Sequence, residues 1–366
     1  MKVLHVINSL AAGGAERLVS DLLPRLRTAG IDTELLVLDA RGDAFSEALV
    51  QAGVPVRFAR PRGANPYSPA RMSDIGRAAR ELEPDLVHAH LAPAFHWCAL
   101  GLHGIPLVAT EHATKNRRMG NPLLRRFERS CYWRYAGIAC VSKDTAQALV
   151  EWTGLPTERF PVIPNGIPIE RFTHNGRPAA DVSAWLAGRK GIAMTARLIP
   201  AKGHEVAIRA LASLPEDLCM VFIGDGPERP KLEELSRKLG VGPRCLFLGS
   251  RADVPEILEA CDLYLQASYA EGFGIAALEA MAAGLPVVAS EAPGLGDLVR
   301  GAGTLFPAGD AGACAAAIGN LISNGVEMEK RRDLGRDRAR EYSIEGCAER
   351  YATLYGKILS EPRMER

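Results

Sequence analysis

Through the first half of the chain, short runs of apolar and β-branched residues alternate with stretches of helical periodicity. Val3 to Ile7, Glu34 to Leu38, Val54 to Phe58, Leu86 to His88, Leu107 to Thr110 and Ile138 to Val141 read as strands. Such alternation predicts a parallel, doubly wound α/β sheet, in which ligands sit beyond the carboxyl ends of the strands. After Trp185 to Lys190 the pattern begins again, with apolar runs in G-I-A-M-T, M-V-F-I, C-L-F-L and D-L-Y-L. From Glu327 to Leu359 it turns to charged amphipathic helices. A chain of 366 residues is too long for one core and about right for two domains.

The stretch Glu271 to Ser290 reads E-G-F-G-I-A-A-L-E-A-M-A-A-G-L-P-V-V-A-S. It predicts a site in which a Gly272-Phe273-Gly274 turn opens a short helix carrying Ile275 and Glu279. Gly284 stops that helix before a strand from Pro286 to Ala289. The two glycines allow close backbone approach, and the N–H groups of the first helical turn suit a phosphate. Phosphate repels carboxylates, so Glu271 and Glu279 are better employed accepting hydrogen bonds from the hydroxyls of a ribose or hexose. The ligand implied carries both phosphate and hydroxyls. A plain amphipathic helix with two solvated glutamates is the alternative.

Arg197 and Lys202 stand five residues apart just after a strand, beside Gly203, which starts a helix. A guanidinium fork and an ammonium point charge suit a diphosphate. The chain contains no Asp-x-Asp pair, the usual metal-binding device beside a nucleotide diphosphate, so these two side chains can neutralise the leaving group instead. Near the N-terminus, the loop Asn8 to Ala15 follows the first strand, and its Gly13 and Gly14 permit close approach to a substrate or form a plain tight turn. His88 and His90 share one strand face in P-D-L-V-H-A-H, which fits a core or supporting role, whereas His112 enters a loop after a strand. A metal site built from His88, His90 and His112 is the sharper alternative, without a carboxylate or cysteine at ligand spacing. A Gly224-Asp225-Gly226 turn follows M-V-F-I, and Pro227 is expected to start the next helix.

Composition adds limits. The net charge of +1 argues against a general nucleic-acid binder. The eight cysteines form no C-x-x-C pair, so neither a disulfide framework nor a zinc ribbon is expected, and the reading is a reducing cytosol. The N-terminal M-K-V-L-H-V-I reads as a strand running into a Gly-rich loop rather than as a secretion signal, and no uncharged apolar window is long enough to span a membrane. Charge is nevertheless concentrated between Lys115 and Tyr135, where Lys115, Arg117, Arg118, Arg125, Arg126, Arg129 and Arg134 face only Glu128. Leu123, Leu124, Phe127, Cys131 and Tyr135 recur there at helical spacing, so the segment either enters an anionic bilayer surface or packs on its own domain.

Two glutamates with seven residues between them in the frame E-G-F-G, followed by E-A-M-A and G-L-P-V-V-A-S, resemble the signature of the retaining GT-B glycosyltransferases of family 4. The resemblance extends over nearly the whole chain. It implies a GT-B fold, with two Rossmann-like domains facing across a cleft. Residues 1–168 would form the acceptor side, 169–344 the nucleotide-sugar domain, and a last helix within 345–366 would cross back. P-V-I-P-N-G-I, Pro161 to Ile167, is similar to the family's exit from the first domain. Arg197 and Lys202 match the family's R-x(4)-K pair. By the same resemblance Glu279 meets the ribose, Glu271 orients the donor hexose, and His112 hydrogen-bonds the sugar near its anomeric centre. Gly13 and Gly14 lie against the donor phosphates or the acceptor, Gly226 lies near the nucleotide, and the backbone from Leu248 to Arg251 cups the base. The donor phosphate itself takes the acceptor proton, with no cofactor and no metal. Ala196, where the family often has glycine, and E-A-P-G-L-G-D-L in place of G-G-x-x-E are departures.

The implied function is transfer of a hexose from a UDP-, GDP- or ADP-linked donor to a glycan or polyprenyl-linked acceptor in cell-surface polysaccharide synthesis. The enzyme would be cytoplasmic, peripheral on the inner face of the plasma membrane through 115–135, with no nucleic-acid partner. A NAD-type oxidoreductase would want G-x-G-x-x-G after the first strand, where this chain has A-A-G-G-A-E. A sugar-nucleotide epimerase, a pyridoxal-dependent phosphorylase and a non-catalytic nucleotide-sugar sensor keep the same fold and stay open.

Overall fold

The apolar runs assemble into two six-stranded sheets in which every strand pairing is parallel. The structure, a computed structural model, describes residues 1–11, 13–60, 65–114, 119, 121–173 and 176–361. It divides into unit 1, Met1–Ile167 with Tyr342–Arg366, and unit 2, Pro168–Glu341.

Unit 1 alternates β1 (Lys2–Ile7), α1 (Gly14–Thr28), β2 (Asp32–Val37), α2 (Ser46–Gln51), β3 (Val56–Phe58), α3 (Ala70–Leu82), β4 (Leu86–His90), α4 (Ala94–Gly101), β5 (Leu107–Glu111), α5 (Pro122–Trp133), β6 (Gly137–Cys140) and α6 (Lys143–Thr153). The strand order is β3-β2-β1-β4-β5-β6. Val3 and Ile7 pack with Leu18 and Leu22 of α1, whereas Leu4 and Val6 pack with Ile75 of α3 and Phe95 of α4. Both faces are therefore covered, which is why these strands are apolar throughout instead of alternating. Each large aliphatic side chain buried this way contributes roughly 1.5–3 kcal/mol.

Unit 2 runs α7 (Ala180–Leu186), β7 (Lys190–Thr195), α8 (His204–Leu211), β8 (Leu218–Ile223), α9 (Arg229–Lys238), β9 (Cys245–Phe247), α10 (Val254–Glu259), β10 (Leu263–Gln266), α11 (Ile275–Ala282), β11 (Val287–Ser290), α12 (Gly296–Val299), β12 (Thr304–Phe306), α13 (Ala311–Ile322) and α14 (Gly325–Arg340). Its strand order is β12-β11-β10-β7-β8-β9, over a core that includes Ile192, Met194, Phe222, Leu263, Leu265 and Val288. Pro227 does not start a helix. It lies in a turn, and α9 begins at Arg229 with Pro230 in its first turn, where the missing N–H costs nothing.

The last helix, α15 (Ile344–Ser360), belongs to unit 1, where Tyr351 and Tyr355 are buried with the α1 face of the sheet. The outgoing and returning chain run side by side there: Ile167 N donates to Tyr342 O at 3.0 Å and Ile344 N to Ile167 O at 2.9 Å. All eight cysteines are free thiols. No helix among the described residues is long and apolar enough to cross a membrane.

Candidate active site

In unit 2 the chain winds outward from β7 in both directions, to β8 on one side and to β10 on the other, so a switch point lies between β7 and β10. The loops that leave these two strands press together. Gly203 has a φ of +66°, and a Cβ on it would run into the carbonyl oxygen of Ala267, so this crossing requires glycine. Tyr269 N donates to Ala201 O at 2.9 Å, a second tie between the loops. Across them Lys202 Nζ donates to Glu271 Oε1 at 2.6 Å. The same oxygen accepts from Ser268 Oγ at 2.6 Å and from Gln266 Nε2 at 3.0 Å.

Arg197 lies in an exposed position on the loop after β7; its carbonyl accepts from Ile199 N at 2.8 Å, and its side chain makes no hydrogen bond or ion pair among the described residues. That loop is propped from below: Leu198 N donates to Asp225 O at 2.9 Å, and the backbone of Gly226 lies against Leu198. The glycine turn after β8 thus supports the arginine loop. Leu248 N is already committed to Phe222 O at 3.0 Å, and Arg251 is held by Asp253 at 2.5 and 2.7 Å and by Asp181 at 2.7 Å. These two carboxylates push the Arg251 pKa up.

Gly274, with φ +97°, leads into α11, which starts at Ile275 with no side-chain cap on its first amides. Glu271 and Glu279 are both half-buried, and Phe273 between them in sequence is buried at 6% exposure. Burial, then the charges of Glu279 and Glu271, push the Tyr264 phenol far up. Behind the loop Gly294 has a φ of +78°, and a Cβ there would run into the carbonyl of Glu271. The stretch E-A-P-G, from which sequence reasoning drew nothing, is therefore the backing of the Glu271 turn.

In unit 1 the switch point lies between β1 and β4. Asn8 bridges it, donating to Ala92 O at 2.7 Å and accepting from Ala94 N at 2.9 Å. Gly13 has a φ of −167°, ordinary extended backbone, and the Glu16 carboxylate leans over it; exposed Gly14 opens α1, which has no side-chain cap.

The histidines gather on the α15 side of this sheet. His5 Nδ1 lies 3.1 Å from His90 Nε2, while His88 Nδ1 meets Tyr355 OH at 2.6 Å and His88 Nε2 meets Thr110 Oγ1 at 2.7 Å. Thr110 Oγ1 in turn lies 2.9 Å from Tyr351 OH. Burial holds His5 down to about 3 and His112 to about 4, and drives His88 and His90 well below the usual imidazole range, so all four are neutral at pH 7. His5, His88 and His90 bring one nitrogen each within 4.8 Å of one another, the set that could hold a metal. His112 is not in that trio; its ring lies 5.9 Å from His90. Because both His88 nitrogens already have hydroxyl partners, the arrangement works as a hydrogen-bond network joining β4 and β5 to α15. His5 was missed by sequence reasoning, although a lone polar residue in V-L-H-V-I was the available signal.

Of the basic segment, Lys115, Arg117 and Arg118 lie outside the described residues. Arg125 donates to Trp152 O at 2.6 Å and Arg129 to Thr153 O at 3.2 Å, capping the end of α6, while Arg134 donates to Leu102 O at 2.5 Å beyond α4. Cations at helix C-termini satisfy orphan carbonyls and complement the dipole. Glu128 is buried and accepts from Trp152 Nε1 at 2.7 Å, and Cys131 and Tyr135 are buried in the unit 1 core. Much of this charge is thus spent within unit 1; Leu124, Phe127 and Trp133 remain exposed beside Arg126.

Against known proteins, the family described as "Glycosyl transferases group 1" matches residues 180–341, and "Glycosyltransferase Family 4" matches residues 12–171. A D-inositol 3-phosphate glycosyltransferase of Mycobacterium sp. (strain KMS) is 31% identical over 310 residues, covering 78% of this chain and 70% of the relative. The putative glycosyltransferase EpsF of Bacillus subtilis (strain 168) is 28% identical over 305 residues, 79% of each chain. Among solved structures, Anabaena Alr3699/HepE in complex with UDP superimposes with a TM-score of 0.85 at 25% identity, over 98% of this chain and 100% of that one, and the same protein has been solved with UDP and glucose. With its two parallel sheets and these matches, the chain belongs to the GT-B glycosyltransferases of the family 4 type.

Proposed function

We propose that this glycosyltransferase moves a hexose, with retention of anomeric configuration and without a metal, from a UDP-sugar to a glycan or polyprenyl-linked acceptor in cell-surface polysaccharide synthesis. The observation that carries the reading is the Lys202–Glu271 contact of 2.6 Å at the switch point of unit 2, where a cation suited to a diphosphate touches a carboxylate suited to a sugar hydroxyl. Arg197 and Lys202 neutralise the leaving diphosphate. Glu271 accepts from the hexose hydroxyls and Glu279 from the ribose. Gly272 to Ile275 offer amides to the phosphates, and Gly226 with the backbone of Leu248 to Arg251 borders the base. In unit 1, His112 is assigned to a sugar hydroxyl, since its buried Nε2 has no partner among the described residues. Gly13 and Gly14 are assigned to the acceptor side. The donor phosphate receives the acceptor proton, as the family resemblance implies. Uracil is the preferred base because HepE is a UDP-bound relative in structure.

The enzyme works in the cytoplasm, docked on an anionic inner membrane face by the exposed apolar residues of α5. A second reading of the acceptor, an inositol phosphate, is favoured by the name of the 31% identical mycobacterial relative. The deciding experiment is incubation in EDTA with UDP-, GDP- and ADP-hexoses, against inositol 3-phosphate and a polyprenyl-diphosphate-linked sugar. Products are read by mass spectrometry and the anomer by NMR. Transfer from a UDP-hexose with retained configuration is expected; an inverted product, or none from any donor, contradicts the reading.

A further inference from the structure

Gln266 ends β10 and Ser268 lies two residues on; they are 2% and 0% exposed, on a strand whose neighbours Leu263 and Leu265 are core residues. A buried amide and a buried hydroxyl are costly unless they are bonded, and the fold alone would be served as well by apolar residues of similar size. Here both are bonded toward one target. Tyr264 OH donates to Gln266 Oε1 at 2.8 Å, Gln266 Nε2 donates to Ser268 Oγ at 2.8 Å and to Glu271 Oε1 at 3.0 Å, and Ser268 Oγ passes its only proton to Glu271 Oε1 at 2.6 Å.

The direction of this chain is fixed at both ends. An ionised carboxylate only accepts, so the amide N–H2 must face Glu271 and its carbonyl must face Tyr264. Burial pushes the Tyr264 phenol well above its ordinary range, so its hydroxyl keeps the proton that it donates. The neighbouring strand holds the exit of β10 in register, because Ser290 Oγ donates to Ser268 O at 2.5 Å. Glu271 therefore accepts from two neutral donors at and just beyond the end of β10 and from one charged donor, Lys202, on the neighbouring loop.

We infer that Gln266 and Ser268 are positioning residues that keep Glu271 aimed at the donor sugar when the diphosphate draws Lys202 away. This rests on the donor reading proposed above. With Lys202 turned to a diphosphate, the two neutral donors at the exit of β10 still fix Oε1, so the carboxylate meets the sugar hydroxyls without reorganising. Sugar recognition and transfer then depend on Gln266 and Ser268, and affinity for the bare nucleotide does not.

The test is calorimetric titration of wild type, Gln266→Leu and Ser268→Ala with UDP and with UDP-glucose, together with kcat and KM for the donor. Both variants should bind UDP within about twofold of wild type, lose the extra affinity that the sugar adds, and turn over about ten- to a hundredfold more slowly, as loss of bonds to a charged group implies. Variants that keep both the sugar-dependent affinity and kcat overturn the positioning role, as do variants in which UDP affinity falls in parallel. If wild type itself fails to bind UDP and UDP-glucose, the donor reading fails and takes this inference with it. Should Gln266→Leu not fold, Ser268→Ala, which removes one oxygen, decides the matter.

Discussion

Lys202 and Glu271 are 21% and 12% exposed as side chains, dry enough that removing either leaves the other short of a charge-assisted bond. Arg197→Ala and Lys202→Ala should each lower turnover by about two to three orders of magnitude, the size expected when a charged stabiliser of the leaving group is lost. Initial rates in EDTA check this; near-wild-type rates in both variants would contradict it. Glu279→Gln should mainly weaken bare UDP binding and Glu271→Gln mainly slow sugar transfer, which titration and kinetics of the pair would separate. Equal losses of UDP affinity would refute that division. The buried imidazoles give a pH prediction. His5 is held at about 3 and His112 at about 4 by burial, and His88 and His90 are lowered by the same cause, against an ordinary value of 6.5. As pH falls, the unfolded chain takes up these protons first, so the stability they contribute is complete above about pH 6.5 and is lost as pH falls toward the folded values. Each group removes about 1.4 kcal/mol per pH unit in that window. Urea unfolding between pH 7 and 5 should show a steep loss that becomes shallower by one proton in His5→Leu; an unchanged slope would contradict the assignment.

At the scale of elements, α5 shows why a charge run is not by itself a surface for a partner. Arg125, Arg129 and Arg134 end on the carbonyls of Trp152, Thr153 and Leu102, partners 24 to 32 residues away in sequence that no local pattern discloses. The proposed docking on lipid therefore rests on Leu124 and Phe127, which are one turn apart and 39 and 42% exposed, with Arg126. Sedimentation with phosphatidylglycerol vesicles should show binding at low salt that is reduced in Leu124→Ser/Phe127→Ser and weakened by salt. No binding at low salt would return α5 to a plain packing role. The strands and the helix after Glu271 were legible because apolar runs and glycine turns are local signals. Arg197, Lys202, Glu271 and Glu279 stood out in the sequence because charges beside glycine turns suit a ligand, a role that the binding and rate measurements above test. Gln266, Ser268, Gly294 and His5 did not, since each takes its meaning from a strand or loop distant in sequence. Pro227 misled for a related reason: a proline fits a turn as well as a first helical position, and Pro230 took the latter.

For the whole molecule, each unit carries its polar residues at the carboxyl edge of a doubly wound sheet, and α15 returns the end of the chain to unit 1. Unit 2 carries the charges proposed to hold a nucleotide sugar, and in unit 1 His112, Gly13 and Gly14 are the residues proposed to meet substrate. In the function proposed above, unit 2 binds a nucleotide sugar through Lys202 and Glu271 without help from a metal. Calorimetric titration of UDP-glucose in EDTA tests it most directly, with wild type and Lys202→Ala side by side. Saturable binding at one site is expected in wild type, weakened about tenfold or more in the variant, in keeping with loss of roughly 1.4 kcal/mol or more from a charged contact. Binding that appears only when a divalent cation is restored, or that is the same in Lys202→Ala, would contradict it.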